Sequence, residues 1–157
     1  MSVEVGQRVP DVPLVNADRK RVMLAELLGK PTVLAFYPGA FTGTCTKEAC
    51  AFRDSMKEFN DIKAQVIGIS VDSPFAQQAF IQANGLNFPM YSDFSRHAVR
   101  GFGIEDPNFA GGLLPGVAKR AVFVLDRDGV VRWRWISDNP GVEPDYAAVA
   151  AAVRRVS

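Results

Sequence analysis

The stretch Phe36-Tyr37-Pro38-Gly39-Ala40-Phe41-Thr42-Gly43-Thr44-Cys45-Thr46-Lys47-Glu48-Ala49-Cys50 constrains this chain more than any other. Before it, Thr32–Phe36 is a run of mainly apolar residues following Pro31, the pattern of a strand buried on both faces. At Pro38-Gly39 the run breaks. Beyond it, Phe52, Met56 and Phe59 recur at helical spacing among Arg53, Asp54, Lys57 and Glu58. A buried strand, a tight turn and an amphipathic helix to about residue 60 are therefore predicted, with both cysteines of the chain inside this unit. Cys45 falls in or just before the first helical turn, where unpaired backbone N–H groups and the positive end of the helix dipole favour a thiolate.

Ionisation alone gives modest reactivity. A free thiol of pKa about 8.5 is a few per cent thiolate at neutral pH, so complete ionisation gains about thirtyfold, or roughly 2 kcal/mol. A rate gain of about 10⁵ needs roughly 7 kcal/mol, so other groups must act on the reacting bond. Thr42, three residues before Cys45, carries a hydroxyl able to accept from the thiol or donate to a substrate oxygen. It is equally a helix cap. Pro38 fixes φ and lacks an N–H, which suits a wall that keeps water from the sulfur. Arg120 directly precedes the strand pattern Ala121–Leu125, at an edge from which a guanidinium reaches a neighbouring loop. Glu48 reads either as a solvated helix acid or as a partner that orients Arg120.

Pro38-x-x-x-Thr42-x-x-Cys45, after an apolar strand ending in Phe36-Tyr37 and with an Arg opening a later strand, resembles the active-site motif of the peroxiredoxins. The resemblance extends from Gly6–Leu14 to the Phe123-Val124-Leu125-Asp126-Arg127-Asp128-Gly129 hairpin. It implies a thioredoxin-like α/β fold with a mixed central sheet flanked by helices and an N-terminal extension. It implies that Cys45 is the peroxidatic cysteine, with Pro38, Thr42 and Arg120 completing the site. The activity implied is reduction of hydrogen peroxide and organic hydroperoxides through a sulfenic acid, restored by thioredoxin or a similar dithiol, with no metal or organic cofactor.

Cys45-x₄-Cys50 resembles the bacterioferritin-comigratory-protein type, in which the second cysteine resolves the sulfenic acid as an intramolecular disulfide. The turn Gly39–Thr44 is also similar to that of one-cysteine members, where an external thiol resolves. In an intact helix residues five apart have Cα atoms about 8.6 Å apart, beyond the roughly 7 Å limit of a disulfide, so bridging requires the first turns to unwind.

The remaining sequence suits one domain over residues 1–157, at 48% hydrophobic and 22% charged. A net charge of +1 gives no electrostatic basis for nucleic-acid or anionic-membrane partners. No apolar run approaches a membrane span, and the start lacks a basic segment followed by an apolar core. A cytoplasmic location, where thiols stay reduced, is expected, as monomer or homodimer. Further predicted elements are short ones at 21–23 and 24–29, a buried strand at 65–71 and a helix from Pro74 to about residue 83, ended by Asn84-Gly85. A short strand at 88–93 and a helix at 95–100 follow. The reading then gives a structureless loop at 101–119, a hairpin over 121–136 and a helix at about 144–154. Phe41 and Phe109–Pro115 are expected to wall the site or to form a dimer contact. Trp133 and Trp135 read as cover of a half-buried strand, and His97 as a surface residue. A cysteine hydrolase, a C-x-x-C exchanger and a structural zinc site all lack required residues. A non-enzymatic thioredoxin-like interaction domain remains the alternative from another class.

Overall fold

The computed structural model describes residues 2–157. In chain order the elements are β1 (Pro13–Val15), β2 (Arg21–Met23), α1 (Leu24–Leu27), β3 (Thr32–Phe36), α2 (Gly43–Asp61), β4 (Gln65–Ser70) and α3 (Pro74–Asn84). They continue with β5 (Met90–Ser92), α4 (His97–Gly101), β6 (Glu105–Asp106), β7 (Val117–Ala118), β8 (Arg120–Leu125), β9 (Val131–Ser137) and α5 (Tyr146–Val156). Seven strands form one mixed sheet in the order β2-β1-β5-β4-β3-β8-β9. β3 runs parallel to β4 and antiparallel to β8, so the strand that leads into the cysteine turn sits between two fully paired neighbours.

Every residue of β3 is buried because both faces of the sheet are covered. Val33, Ala35 and Tyr37 pack with Phe52, Met56 and Phe59 of α2, Phe80 of α3 and Val149 and Val153 of α5. Leu34 and Phe36 join Ala98 and Val99 of α4, Leu24 of α1, and Phe102 and Phe123 on the other face. The rings of Phe36, Phe102 and Phe123 form a tilted and edge-to-face trio with centroids 5.0, 5.9 and 5.2 Å apart, within the favourable range for aromatic pairs.

Local chemistry sets the boundaries. Ser73 accepts from the amide of Ala76 to cap α3, Pro74 occupies its first position, and Gly85 ends it in the left-handed conformation at φ +58°. Asp145 caps α5 through Ala148 N. α4 begins two residues later than its expected start at 95, because Arg96 takes a left-handed φ of +66° and the Asp93 carboxylate accepts from the amides of Ala98 and Val99.

The expected structureless loop at 101–119 is corrected. Glu105 pairs with Ala118 and Asp106 with Val117, and Lys119 N donates to Ile104 O at 2.8 Å. The buried Phe102, Ile104, Val117 and Ala118 anchor this small ribbon. Two-residue strands are too short to leave a periodic pattern, which is why the sequence hides them. The tip carries a short 3-10 helix at Phe109–Gly112 and is closed by Gly116 N donating to Asp106 O at 2.9 Å, with Leu113 83% exposed.

Phe123→Ala should destabilise the protein by about 3–5 kcal/mol in urea unfolding followed by circular dichroism, since it removes the shared ring of the trio. A loss below about 1 kcal/mol would mean that this face of the core is loosely packed.

Candidate active site

The turn after β3 is held from several directions. Tyr37 N donates to Ile69 O at 3.1 Å, and Ala40 N donates to Asp72 Oδ2 at 2.7 Å, which ties the turn to the end of β4. Ser70 Oγ donates to the same carboxylate oxygen at 2.7 Å. This bracing supports Phe41 at a left-handed φ of +65°, an unfavourable conformation for a bulky residue. Thr42 is the N-cap of α2, although its hydroxyl makes no capping bond to the helix amides. It donates instead to Gly39 O at 3.0 Å, so its lone pairs stay available as acceptors. The first i→i−4 bond of the helix is Thr46 N to Thr42 O at 2.9 Å. The amides of Gly43, Thr44 and Cys45 precede it and lack helical acceptors.

Cys45 is the third residue of α2 and only 2% exposed. Arg120, the first residue of β8, is 1% exposed and points its guanidinium at the sulfur: Nη2 donates to Cys45 Sγ at 3.0 Å. The remaining donors are aimed as well. Nε and Nη2 donate to Pro140 O at 3.1 and 2.9 Å, and Nη1 donates to Glu48 Oε1 at 3.4 Å. Pro140 lies in a connection braced by Ser137 Oγ donating to Asn139 O and by Gly141 N donating to Asn139 Oδ1, both at 2.9 Å. The guanidinium is thereby fixed from β8, α2 and the 138–145 connection together.

Glu48 is the orienting partner of Arg120, and the solvated-acid reading does not hold: its side chain is 3% exposed. Burial pushes its carboxyl up to about 8, against the downward pull of Arg120 and with a smaller upward push from Glu143. Its second oxygen, Oε2, is buried without a hydrogen-bond partner. Tyr146 borders the group, donates to Glu143 Oε1 at 2.6 Å and keeps its proton to high pH because of burial.

Pro38 is buried at the start of the turn. Cys45 also adjoins an internal cavity of about 10 Å³, lined among others by Tyr37, Glu48, Phe80 and Met90, room for at most one water. Neither Phe41 nor the 109–115 segment lines that cavity. Phe41 is 58% exposed and meets the ring of Phe80 edge-on at 5.2 Å. Cys50 is half-buried, and both thiols are free. A rotation of about 140° around α2 separates it from Cys45, and its Sγ lies 4.0 Å from Asn84 Oδ1 at the end of α3. Among the described residues no group of three or more His, Cys, Asp or Glu side chains is placed to hold a metal ion.

Four supports escape sequence reasoning. Asp72 reads as a residue ahead of a helix, yet it holds a turn 32 residues away. Pro140 acts through its carbonyl, for which no residue type signals. Tyr146 reads only as sharing one face of the last helix with Val149 and Val153, and Glu143, just ahead of that helix, carries no signal.

Residues 5–134 match the AhpC/TSA family. The chain is 42% identical over 130 residues to a chloroplastic peroxiredoxin Q of Suaeda salsa, covering 83% of this chain and 58% of that protein. It thus spans a little under three fifths of the Suaeda salsa protein and of a peroxiredoxin Q of Populus jackii. It is 38% identical over 136 residues to a putative peroxiredoxin bcp of Coxiella burnetii, covering 86% and 89% of the two chains. Among solved structures, peroxidoxin BcpB from Mycobacterium tuberculosis superposes with a TM-score of 0.84 at 34% identity over 99% of both chains. The bacterioferritin comigratory protein of Xanthomonas campestris superposes with a TM-score of 0.83 at 27% identity, covering 100% and 99%. An arginine-gripped sulfur at a helix start, on a sheet that superposes on theirs, agrees with those matches, and the chain belongs to the AhpC/TSA family of peroxiredoxins.

Proposed function

We propose that this chain is a thiol peroxidase in which the Cys45 thiolate attacks the O–O bond of hydrogen peroxide or an organic hydroperoxide. The observation that carries the reading is the 3.0 Å contact between Arg120 Nη2 and Cys45 Sγ. An S–O bond forms as the O–O bond breaks. The departing oxygen leaves with the electron pair and takes up a proton, giving water or an alcohol, and Cys45 becomes a sulfenic acid.

Charge develops on both oxygens during this displacement. The guanidinium and the unpaired amides at the start of α2 are the donors positioned to stabilise it. The acceptor face of Thr42 Oγ1 suits the peroxide O–H, while Pro38 excludes water. Extension to organic hydroperoxides draws support from the Xanthomonas campestris protein, whose structures concern alkyl peroxide reduction.

Cys50 then attacks the sulfenic sulfur, forming the 45–50 disulfide and releasing water, and a thioredoxin-type dithiol reduces the bridge by exchange. α2 runs unbroken through both cysteines, so this step needs its first two turns to open. The second reading, an external thiol that resolves Cys45, is favoured by the same intact helix. A reducing compartment such as the cytoplasm suits either route.

Cys45→Ser should abolish peroxide consumption, and unchanged activity would refute the assignment. Arg120→Met should lower the second-order rate of Cys45 oxidation by about 10²–10³, read by stopped-flow fluorescence, because it removes a preorganised donor. After one equivalent of peroxide, mass spectrometry of Cys50→Ser should show a persistent sulfenic acid where the wild type shows a 45–50 bridge. A wild type that never bridges assigns resolution to an outside thiol.

A further inference from the structure

The proton inventory of the site leaves one group without a task. Cys45, Arg120 and Glu48 form a closed set, with Arg120 and Glu48 side chains 1% and 3% exposed and Cys45 2% exposed. One permanent cation stands between two acids. Its Nη2 donates to the sulfur at 3.0 Å, whereas its Nη1 contact with Glu48 Oε1 is long at 3.4 Å. Glu48 Oε2 has no partner at all, an arrangement costly for a carboxylate and far cheaper for a neutral carboxyl. The other groups facing Glu48 do not supply positive charge: Glu143 opposes its ionisation, and Tyr146 stays neutral. Burial raises the titration of Glu48 to about 8, against the pull of Arg120.

We propose that Glu48 and Cys45 exchange charge across Arg120. The Glu48 carboxyl is neutral while the sulfur is an anion, and it releases its proton when oxidation removes that anion. The inference rests on the peroxidase reading for its place in a reaction cycle, although the electrostatic coupling itself does not. In the first stage the thiolate loses its charge in forming the S–O bond, and the leaving oxygen takes one proton from solvent. Glu48 gives one proton to solvent and becomes the counter-ion of Arg120, so the buried set keeps zero net charge and the step is proton-neutral overall. When a dithiol returns the Cys45 thiolate, Glu48 takes a proton back. Glu48 is a positioning residue in this scheme, since it touches neither peroxide nor sulfur and acts through Arg120. Above about pH 8 its own ionisation in the reduced state draws the guanidinium from the sulfur, and the peroxide rate declines.

The test uses the full chain as Cys50→Ser, with glutamate labelled by carbon-13 at the side-chain carboxyl. The Glu48 resonance is assigned by its absence in Glu48→Gln, or by through-bond correlation if that variant does not fold. At pH 7 in the reduced protein it is expected at the protonated-carboxyl position. It should move to the carboxylate position after peroxide, and equally after Cys45 is capped with methyl methanethiosulfonate, which removes the thiolate without any peroxide chemistry. In Cys45→Ser its titration midpoint should fall by about one unit or more. A carboxylate signal already present in the reduced protein, or a carboxyl that stays protonated after capping, overturns the proposal. A shift on capping in a chain that consumes no peroxide would leave the coupling standing and sink the peroxidase reading instead. In kinetics, Glu48→Gln should lose the decline in peroxide rate above about pH 8, whereas a purely structural role lowers the rate equally at all pH values.

Discussion

A buried guanidinium is the constraint around which the rest of this molecule is arranged. Taking Arg120 out of water costs several kcal/mol unless its donors are met, and here they are met by a carbonyl, a carboxyl oxygen and a sulfur. The acceptors come from two separate places in the chain. Cys45 and Glu48 share one face of α2, Pro140 hangs from the connection before α5, and β8 carries the arginine itself. Lysine could not serve in its stead, since one ammonium cannot span the same fan of acceptors. The central position of β3 and β8, both fully buried, makes the separation of arginine and sulfur a property of the core rather than of a loop.

That rigidity conflicts with the resolving role proposed for Cys50. Cys50 sits on a different side of α2, next to the end of α3, where Arg53 Nη1 also donates to Asn84 O at 2.6 Å. Opening the first two turns of α2 would separate Glu48 from Arg120 and expose Ala49, both buried in the closed form. The grip that favours attack on peroxide thus opposes the closure of a 45–50 disulfide. Loss of the sulfur's negative charge on oxidation weakens the Cys45 part of that grip, while the contact between Glu48 and Arg120 still has to be broken for the helix to open.

Much of this was legible in the sequence because it is carried by local patterns. The apolar run at 32–36, the Pro-Gly break and the period of Phe52, Met56 and Phe59 placed strand, turn and helix within a residue or so of their observed limits. Ser73-Pro74 and Asn84-Gly85 bounded α3 through cap chemistry. Arg120 needed the family resemblance, since a lone cation before a strand says nothing of where its side chain goes. Glu48 stayed open between two readings because burial of a helix acid depends on what packs over it, here β8 and the 138–145 connection. Asp72 and Pro140 were illegible for the same reason: each acts on a residue 20 or more positions away, Pro140 through a backbone oxygen. The β6–β7 ribbon was hidden by its brevity.

The central claim is that the site acts on the oxidant and does more than ionise a thiol. Comparing the second-order rate constants of Cys45 with hydrogen peroxide and with iodoacetamide, each divided by that of a small free thiolate, tests it most directly. The account predicts a peroxide ratio above about 10³ and an alkylation ratio within about tenfold of unity, because only the peroxide reaction develops charge where Arg120 and the helix amides point. Equal ratios for the two reagents would contradict it.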